Sequence, residues 1–181
     1  MTKNIYVFEG GGSNPKPLAV IDMSKYSEND SKATSAILYK KVNNVFTLEI
    51  DIPTNCDASQ SITNTSDLVL YDTEDNLQEF HVTELSDLHE YSVIRTIYAE
   101  QSISELIENI ITSSVEMPTT TNPADYLAYI LSFTRWSVGT VDSGIYNSRW
   151  KEDLTGKNCL EALQMFMDKY NCEFIVRYES D

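Results

Sequence analysis

The hydrophobic pattern of the chain changes its period near residue 100, and this change limits the folds open to it. The clearest early pattern runs from Phe46 to Pro53, where apolar and polar residues alternate. Later, apolar residues between Ile103 and Ile111 recur at the spacing of one helix face. Period two predicts a half-buried antiparallel strand, whereas the longer period predicts an amphipathic helix. The chain is therefore predicted to be α+β, with strands first and helices second.

The N-terminal region carries further strand-like runs that are separated by turns. Ile5 to Phe8 and Leu18 to Ile21 flank a glycine-rich connection, which is typical of a loosely connected hairpin. Strands are also predicted at Leu68 to Tyr71, at Leu77 to Leu85 and at Tyr91 to Ala99. About six strands at hairpin spacing favour an antiparallel sheet that closes into a small barrel or sandwich.

The polar stretches between these strands are predicted to be loops. Asn29 to Ser35 and Asn55 to Ser66 are rich in Ser, Thr and Asn. Residues 1–99 are therefore predicted to form an antiparallel β-domain, and residues 100–181 a helix-containing α/β segment.

Helix start signals stand out in the second region. Ser102 lies three residues before Glu105, which is the spacing of a capping box at the start of the first helix. Asn122 followed by Pro123 predicts the start of the second helix, with Asn as N-cap and Pro in the first turn.

The third helix is predicted from about Gly156 to Tyr170, with Asn171 ending it. Short strands are predicted on either side of it, one near Trp136 to Val141 and one at Phe174 to Tyr178. The last strand lies at an abrupt edge, so its partner has to come from elsewhere. We therefore expect this chain to be the front part of a longer polypeptide.

The chain is strongly acidic. It has 28 acidic and 13 basic residues among its 181 residues, a formal net charge of −15. Such a surface repels phosphate, so we expect neither stable nucleic-acid binding nor membrane anchoring. No run reaches the ~20 apolar residues of a membrane span, and the N-terminus lacks a signal-peptide pattern. We therefore expect the chain to be made in the cytoplasm.

Metal and disulfide sites are not predicted. Cys56, Cys159 and Cys172 are odd in number and have no CxxC spacing, so they are expected to be reduced thiols. The only histidines, His81 and His89, lack any tight ligand motif. A site there would need carboxylates such as Asp87 or Glu84.

Catalytic and cofactor sites are not predicted either. Gly10-Gly11-Gly12 lacks the Lys-Ser/Thr of a phosphate loop and is predicted to be a flexible turn. No GxSxG motif is present. The carboxylates fall mostly on predicted strand faces and turns, where solvated charge is the ordinary condition: Asp22, Glu49, Asp51, Asp72 and Asp87.

Four large side chains have two possible roles. Arg135, Trp136, Tyr146 and Trp150 are candidates either for packing between helices and sheet or for an interface with another subunit. Packing is the favoured interpretation on grounds of burial.

The order of several short motifs resembles the siphophage tail-associated proteins, also called prophage endopeptidase tail proteins. The resemblance covers nearly the whole chain and is best from Tyr91 onward. The motifs that carry it are Phe46-Thr47-Leu48-Glu49-Ile50-Asp51-Ile52-Pro53, Tyr98-Ala99-Glu100, Ile103-Ser104-Glu105-Leu106, Ala128-Tyr129-Ile130-Leu131, Thr134-Arg135-Trp136-Ser137-Val138-Gly139, Cys159-Leu160-Glu161-Ala162-Leu163 and Tyr170-Asn171-Cys172-Glu173-Phe174.

The resemblance implies a virion component that is made in the bacterial host and lies at the tail tip, in a baseplate hub with domains related to tail-tube subunits. Three copies would form a ring that continues or closes the tube and anchors a C-terminal host-facing region. Its partners would be other copies of itself, the distal tail protein and the tape-measure protein. The second region would belong to a discontinuous hub domain, and any endopeptidase would lie beyond Asp181, so this chain is not expected to be an enzyme.

The resemblance also gives the acidic charge a possible use. Glu49 and Asp51, on the polar side of the predicted strand, would face a lumen and keep passing DNA from adhering. Two alternatives remain open, namely a fragment of a tail-associated peptidoglycan hydrolase and a module that binds host cell-wall carbohydrate.

Overall fold

The computed structural model describes two units of the chain, each with its own core. It describes residues 4–10, 15–24, 30–88, 93–113, 122–142, 144 and 152–178. The first unit is drawn from residues 1–41, 45–102 and 176–181, and the second from residues 42–44 and 103–175.

The first unit is built on a seven-stranded antiparallel sheet. Its strands in spatial order are β2, β1, β5, β6, β7, β4 and β3. Their bounds are β1 (Ile5–Glu9), β2 (Pro17–Ile21), β3 (Ser35–Tyr39), β4 (Thr47–Pro53), β5 (Ser66–Tyr71), β6 (Leu77–Leu88) and β7 (Ile94–Gln101). The sheet curls into a half-barrel. The predicted antiparallel sheet and α+β class are confirmed, and β3 adds a strand to the predicted six.

The two edge strands of the sheet, β2 and β3, follow one another along the chain. A parallel bridge between Asp22 and Lys32 links the residues just after β2 to those just before β3. In it, the Asp22 amide donates to the Ser31 carbonyl at 3.0 Å and the Ala33 amide to the Asp22 carbonyl at 3.0 Å. Strand twist brings the edges of a sheet this wide towards each other. Within the described part of the chain, each edge strand has a strand neighbour on one side only along its length.

The core of the first unit lies on one face of this sheet. Alternate residues of each strand point into it. Its largest fully buried apolar side chains on the strands are Ile5, Ile21, Ile50, Ile52, Leu68, Phe80 and Ile97.

A short helix, α1 (Asp57–Ser61), packs against this core within a stretch that was predicted to be a loop. That prediction was wrong. Cys56 caps the helix, since its sulfur accepts a bond from the Ser59 amide at 3.4 Å, and Ala58 and Ile62 are buried. Five residues are too few to show helical periodicity, so no periodic pattern in the sequence marks this helix.

Gly10 directly follows β1, at a position where the neighbouring backbone leaves no room for a side chain. A Cβ there would lie 1.7 Å from the Thr65 carbonyl oxygen. The residue therefore serves close backbone packing, whereas Gly11 and Gly12 lie outside the described residues.

The second unit contains α2 (Pro123–Leu131) and α3 (Cys159–Tyr170). The predicted cap of α2 is confirmed, because the Asn122 side chain accepts a bond from the Ala124 amide at 3.0 Å. The predicted end of α3 is also confirmed, since Asn171 is left-handed at φ 48°. This unit buries its own apolar core, made of Ile103, Leu106, Ile111, Tyr126, Leu127, Ile130, Leu154, Cys159, Leu160, Ala162, Leu163, Phe166 and Met167.

The helix predicted after Ser102 is only a 3₁₀ helix over Ser102–Ile107. The next residues pair with the segment before α3 instead of continuing the helix. The Ile111 amide donates to the Lys157 carbonyl at 3.0 Å, and the Cys159 amide to the Asn109 carbonyl at 2.9 Å. This pairing also explains why α3 begins at Cys159, three residues later than predicted.

Two predicted strands are wrong. Neither residues 136–142 nor residues 172–178 form a strand. In the second stretch the exposure of the side chains alternates as predicted, but the partner is a side chain. The Phe174 amide donates to Asn43 Oδ1 at 3.0 Å, and Asn43 Nδ2 donates to the Cys172 carbonyl at 3.0 Å. The alternation of apolar and polar residues indicates which side of a segment is buried, but it does not indicate whether the backbone pairs with another strand.

The three cysteines are free, as predicted. Burial raises the pKa of the Cys159 thiol, whose Sγ donates to the Ile130 carbonyl at 3.4 Å. Among the described residues, no helix is long and apolar enough to cross a bilayer.

Candidate functional site

The side of the sheet opposite the core is acidic, and we call it the outer face. Because side chains alternate along each strand, the strands that bury apolar residues inward present a second set outward. That set includes six carboxylates, Glu49, Asp51, Asp67, Glu79, Glu84 and Glu100. The seven strands contain a single Lys or Arg, which is Arg95. The outer face therefore concentrates part of the net charge of −15.

Arg95 lies on the core side of β7 and does not neutralise this face. Its Nε and Nη2 donate to the two carboxylate oxygens of Asp87 at 2.7 and 3.0 Å. Its Nη1 donates to the Ser59 carbonyl at 2.7 Å. The guanidinium thus fastens β6 and β7 to α1.

Glu49 and Asp51 both lie on the outer face, on β4. Glu49 is opposite Tyr98 in the ladder with β7, and Asp51 is opposite Thr96. The Thr96 hydroxyl donates to Asp51 Oδ1 at 2.7 Å. The alternating pattern of β4 was enough to place these two carboxylates on one face.

The pKa of Tyr98 is sensitive to the negative charge of the outer face. It lies between Glu49 on β4 and Glu84 on β6. Desolvation raises the pKa of its phenol, and the negative charges of Glu49, Glu84 and Asp51 raise it further. Both causes disfavour a phenolate, as expected where like charges are close.

A second group of titratable side chains lies further along the outer face. Asp67 on β5 is directly opposite His81 on β6, and His81 Nδ1 contacts Asp67 Oδ1. Glu79 joins them, and a possible ligand atom from each of the three lies within 4.8 Å of the others. All three residues are half-buried.

Asp87 and Glu84 were the carboxylates expected to join any metal site at the histidines. Of these, Asp87 binds Arg95, and Glu84 lies opposite Tyr98. Asp67 was missed because only the register of β5 against β6 brings it to His81, and no local spacing in the sequence carries that information. Glu79 stands two residues before His81 in the same predicted strand, so the period of two was a local signal for it that was not used.

Large apolar side chains are exposed towards the edges of the outer face. They belong to β1, β2 and β3, and they are Tyr6, Leu18, Val20, Ile37 and Tyr39. Exposed apolar groups beside strand edges are typical of protein–protein contact.

Arg135 and Trp136 lie together in the second unit. Arg135 Nε donates to both oxygens of Glu105 at 2.9 and 3.1 Å, and Trp136 Nε1 also contacts Glu105. The guanidinium lies 5.5 Å from the centre of the indole ring, close enough for a cation–π contact. Trp136 is half-buried and Arg135 is exposed. The other two candidates, Tyr146 and Trp150, lie outside the described residues.

Comparisons with known proteins agree with this architecture. Residues 110–179 match the family described as prophage endopeptidase tail domain. The prophage tail protein gp18 from Listeria monocytogenes EGD-e has a similar structure, with a TM-score of 0.62 and 15% sequence identity. The match covers 92% of this chain and 46% of that protein, so the chain spans less than half of gp18. At that identity the likeness shows the fold. A search of curated proteins gave no match.

Proposed function

We propose that the chain is a structural part of a phage tail tip or baseplate hub. The premise is the resemblance of the sequence to a phage tail family, which these two matches support. In the assembled virion, three copies form a ring that continues or closes the tail tube. The ring contacts the distal tail protein and the tape-measure protein, and it anchors a host-facing region. The function is assembly and involves no turnover.

The single observation that carries this proposal is the family match over residues 110–179. The first unit adds a physical means of association. Among the residues that the structure describes, its edge strands β2 and β3 pair with a strand on one side only, and exposed apolar side chains lie beside both edges. Strand edges and apolar patches are the features through which symmetric subunits join.

The outer face supplies a role for the acidic charge. In the proposed ring, Glu49 and Asp51 face the lumen together with the other outer-face carboxylates. Within a Debye length of ~8 Å at physiological salt, such a face repels the phosphates of DNA and prevents adhesion during passage. Glu108 and Asp168, exposed acidic residues of the second unit, have no such role in this proposal.

A structure of the assembled tail tip tests the proposal directly. We expect threefold copies with Glu49 and Asp51 on the inside of the ring. The lumen assignment would be abandoned if both carboxylates faced exterior solvent. The ring itself would be refuted if the chain were absent from the axis of the tail tip.

Charge reversal supplies a functional test in assembled phage. Glu49→Lys combined with Asp51→Lys is expected to slow DNA ejection, because the lumen then attracts phosphate. Glu108→Lys combined with Asp168→Lys changes the net charge equally and serves as the control. Equal ejection rates in the two double variants would remove the lumen role.

A peptidoglycan hydrolase fragment is the second candidate, because the description of the matched family includes an endopeptidase. Purified chain added to cell walls distinguishes the two. We expect no loss of turbidity, whereas clearing would favour the hydrolase. Binding to the walls without clearing would favour the carbohydrate-binding alternative.

A further inference from the structure

We propose that Asp67, Glu79 and His81 bind a divalent transition-metal cation of the Zn²⁺ class on the outer face of the sheet. This inference is independent of the tail function. It also departs from the expectation, based on sequence, of no metal site.

The sheet holds the three residues in register. Asp67 and His81 are directly opposite each other on neighbouring antiparallel strands. Such pairs have Cβ atoms about 4.5–5.5 Å apart. Glu79 lies two residues before His81 on β6 and therefore projects from the same face. The backbone ladder thus brings one imidazole and two carboxylates together without any loop.

The donor set suits a transition metal. Zn²⁺ takes imidazole nitrogen and carboxylate oxygen at about 2.0–2.2 Å, so ligand atoms around a tetrahedral ion lie about 3.4 Å apart. The three ligand atoms are already within 4.8 Å of one another, so adjustments of side-chain torsions complete the site. Three protein ligands leave a fourth position for water or for a donor from another molecule.

The electrostatics of the outer face favour a bound cation. Glu100 on β7 is directly opposite His81 in the ladder between β6 and β7, so a third carboxylate lies near the cluster on the same face. The strands supply no Lys or Arg to this face. A divalent ion therefore relieves repulsion among carboxylates that are half-buried and incompletely solvated.

Calorimetric titration of the full chain with ZnCl₂, after removal of metals by a chelator, tests the site. We expect one saturable equivalent of Zn²⁺ per chain. His81→Gln and Asp67→Asn are each expected to weaken binding at least ~10-fold. His89→Gln replaces the other histidine and is expected to leave the affinity unchanged.

Thiols also bind Zn²⁺, so Cys172→Ser serves as a second control and is expected to retain the affinity. Its side chain is only half-buried, whereas Cys56 and Cys159 are buried. Circular dichroism establishes that each variant is folded. If His81→Gln does not fold, the imidazole resonances of the native chain decide, since those of His81 and not those of His89 should shift with Zn²⁺.

Three outcomes would overturn the proposal. The first is an absence of saturable binding, which would make the His81–Asp67 contact a simple pair within the sheet. The second is native affinity in folded His81→Gln. The third is loss of binding in Cys172→Ser, which would assign the ion to a thiol.

Discussion

The sheet of the first unit and the helices of the second are ordered by different kinds of polar contact. In the second unit, side chains cap helix ends locally. Asn158 Oδ1 accepts from the Glu161 amide at 2.7 Å, and Asn171 closes the other end of α3. In the first unit, buried polar groups meet across long stretches of sequence. Helix ends are therefore set by neighbouring residues, whereas the interior of the sheet depends on register.

The buried polar network of the first unit illustrates this long-range dependence. Lys40 Nζ donates to Asp72 Oδ2 at 2.7 Å, and Gln101 Nε2 donates to Gln78 Oε1 at 2.7 Å. Asp72 and both glutamines are almost fully buried. Because buried polar groups are costly when unpaired, each of these residues requires its distant partner.

Core truncations should give the largest effects and show whether the two units respond separately. Phe80 in the first unit and Phe166 in the second are both 0% exposed. Each change to Ala is expected to lower the free energy of unfolding by about 3–5 kcal/mol. Hydrogen exchange should show lost protection mainly in β5–β7 for Phe80→Ala and mainly in α2 and α3 for Phe166→Ala.

Tyr71→Ala provides the control for these truncations, since Tyr71 is 48% exposed and should cost less than about 1 kcal/mol. Uniform loss of protection in both core variants would contradict the expectation of separate responses.

The next effect should come from Asp72, which is 3% exposed. Asp72→Asn is expected to cost about 2 kcal/mol at neutral pH, because it weakens the bond with Lys40 in a buried setting. Glu74→Gln removes an exposed carboxylate 3.7 Å from the same Lys40 and should cost less than about 0.5 kcal/mol. Urea unfolding of both variants measures the difference.

The Asp72 contribution should vanish in acid. Burial raises the pKa of Asp72, but bonds from Lys40 and from the amides of Asn76 and Glu74 outweigh it, so the net pKa lies below 3.8. The stabilisation is thus complete above that value and is lost as the pH falls through the lower, folded-state pKa. If the native chain and Asp72→Asn still differed as much in their free energy of unfolding at a pH below the folded-state pKa, the predicted loss of stabilisation in acid would be refuted.

Caps should have smaller effects that stay within the second unit. Asn158→Ala is expected to cost about 1 kcal/mol, since it removes the acceptor for the first turn of α3. Asn158→Asp keeps that acceptor and should be nearly neutral. Thermal unfolding compares them, and equal destabilisation by Ala and Asp would show that capping is not the cause.

The smallest expected effect is a change in titration on the outer face. Glu49→Gln should lower the pKa of Tyr98, because Glu49 is the negative charge that raises this pKa most; only desolvation has a larger effect. Glu74→Gln, in the turn after β5, is the control and should leave that pKa in place. NMR titration of ¹³C-labelled tyrosine measures both, and an unchanged Tyr98 in Glu49→Gln would contradict the acidic setting.

Some elements followed from the sequence almost to the residue. The alternation from Phe46 to Pro53 predicted β4 because one face of that strand is buried and the other is solvated. Asn122 and Pro123 predicted the start of α2 because capping depends on groups two residues away. Glu49 and Asp51 were placed on one face for the same local reason.

Other elements could not be predicted, and the reason is that their partners are distant. The stretch Phe174 to Tyr178 has the period of a strand, but its backbone is hydrogen-bonded to the side chain of Asn43 and not to another strand. The helix after Ser102 stops because residues near Ile111 pair with those near Lys157. A periodic pattern contains no information about these encounters.

By itself, the sequence determined that strands come first and helices second, the start of α2 and the end of α3, the acidic charge and the resemblance to a phage tail family. Only the tertiary structure decided the strand order, the short helix α1 and the meeting of Asp67 with Glu79 and His81. The physical reason is that period and capping act over a few bonds, whereas strand register is set by the packing of the whole core.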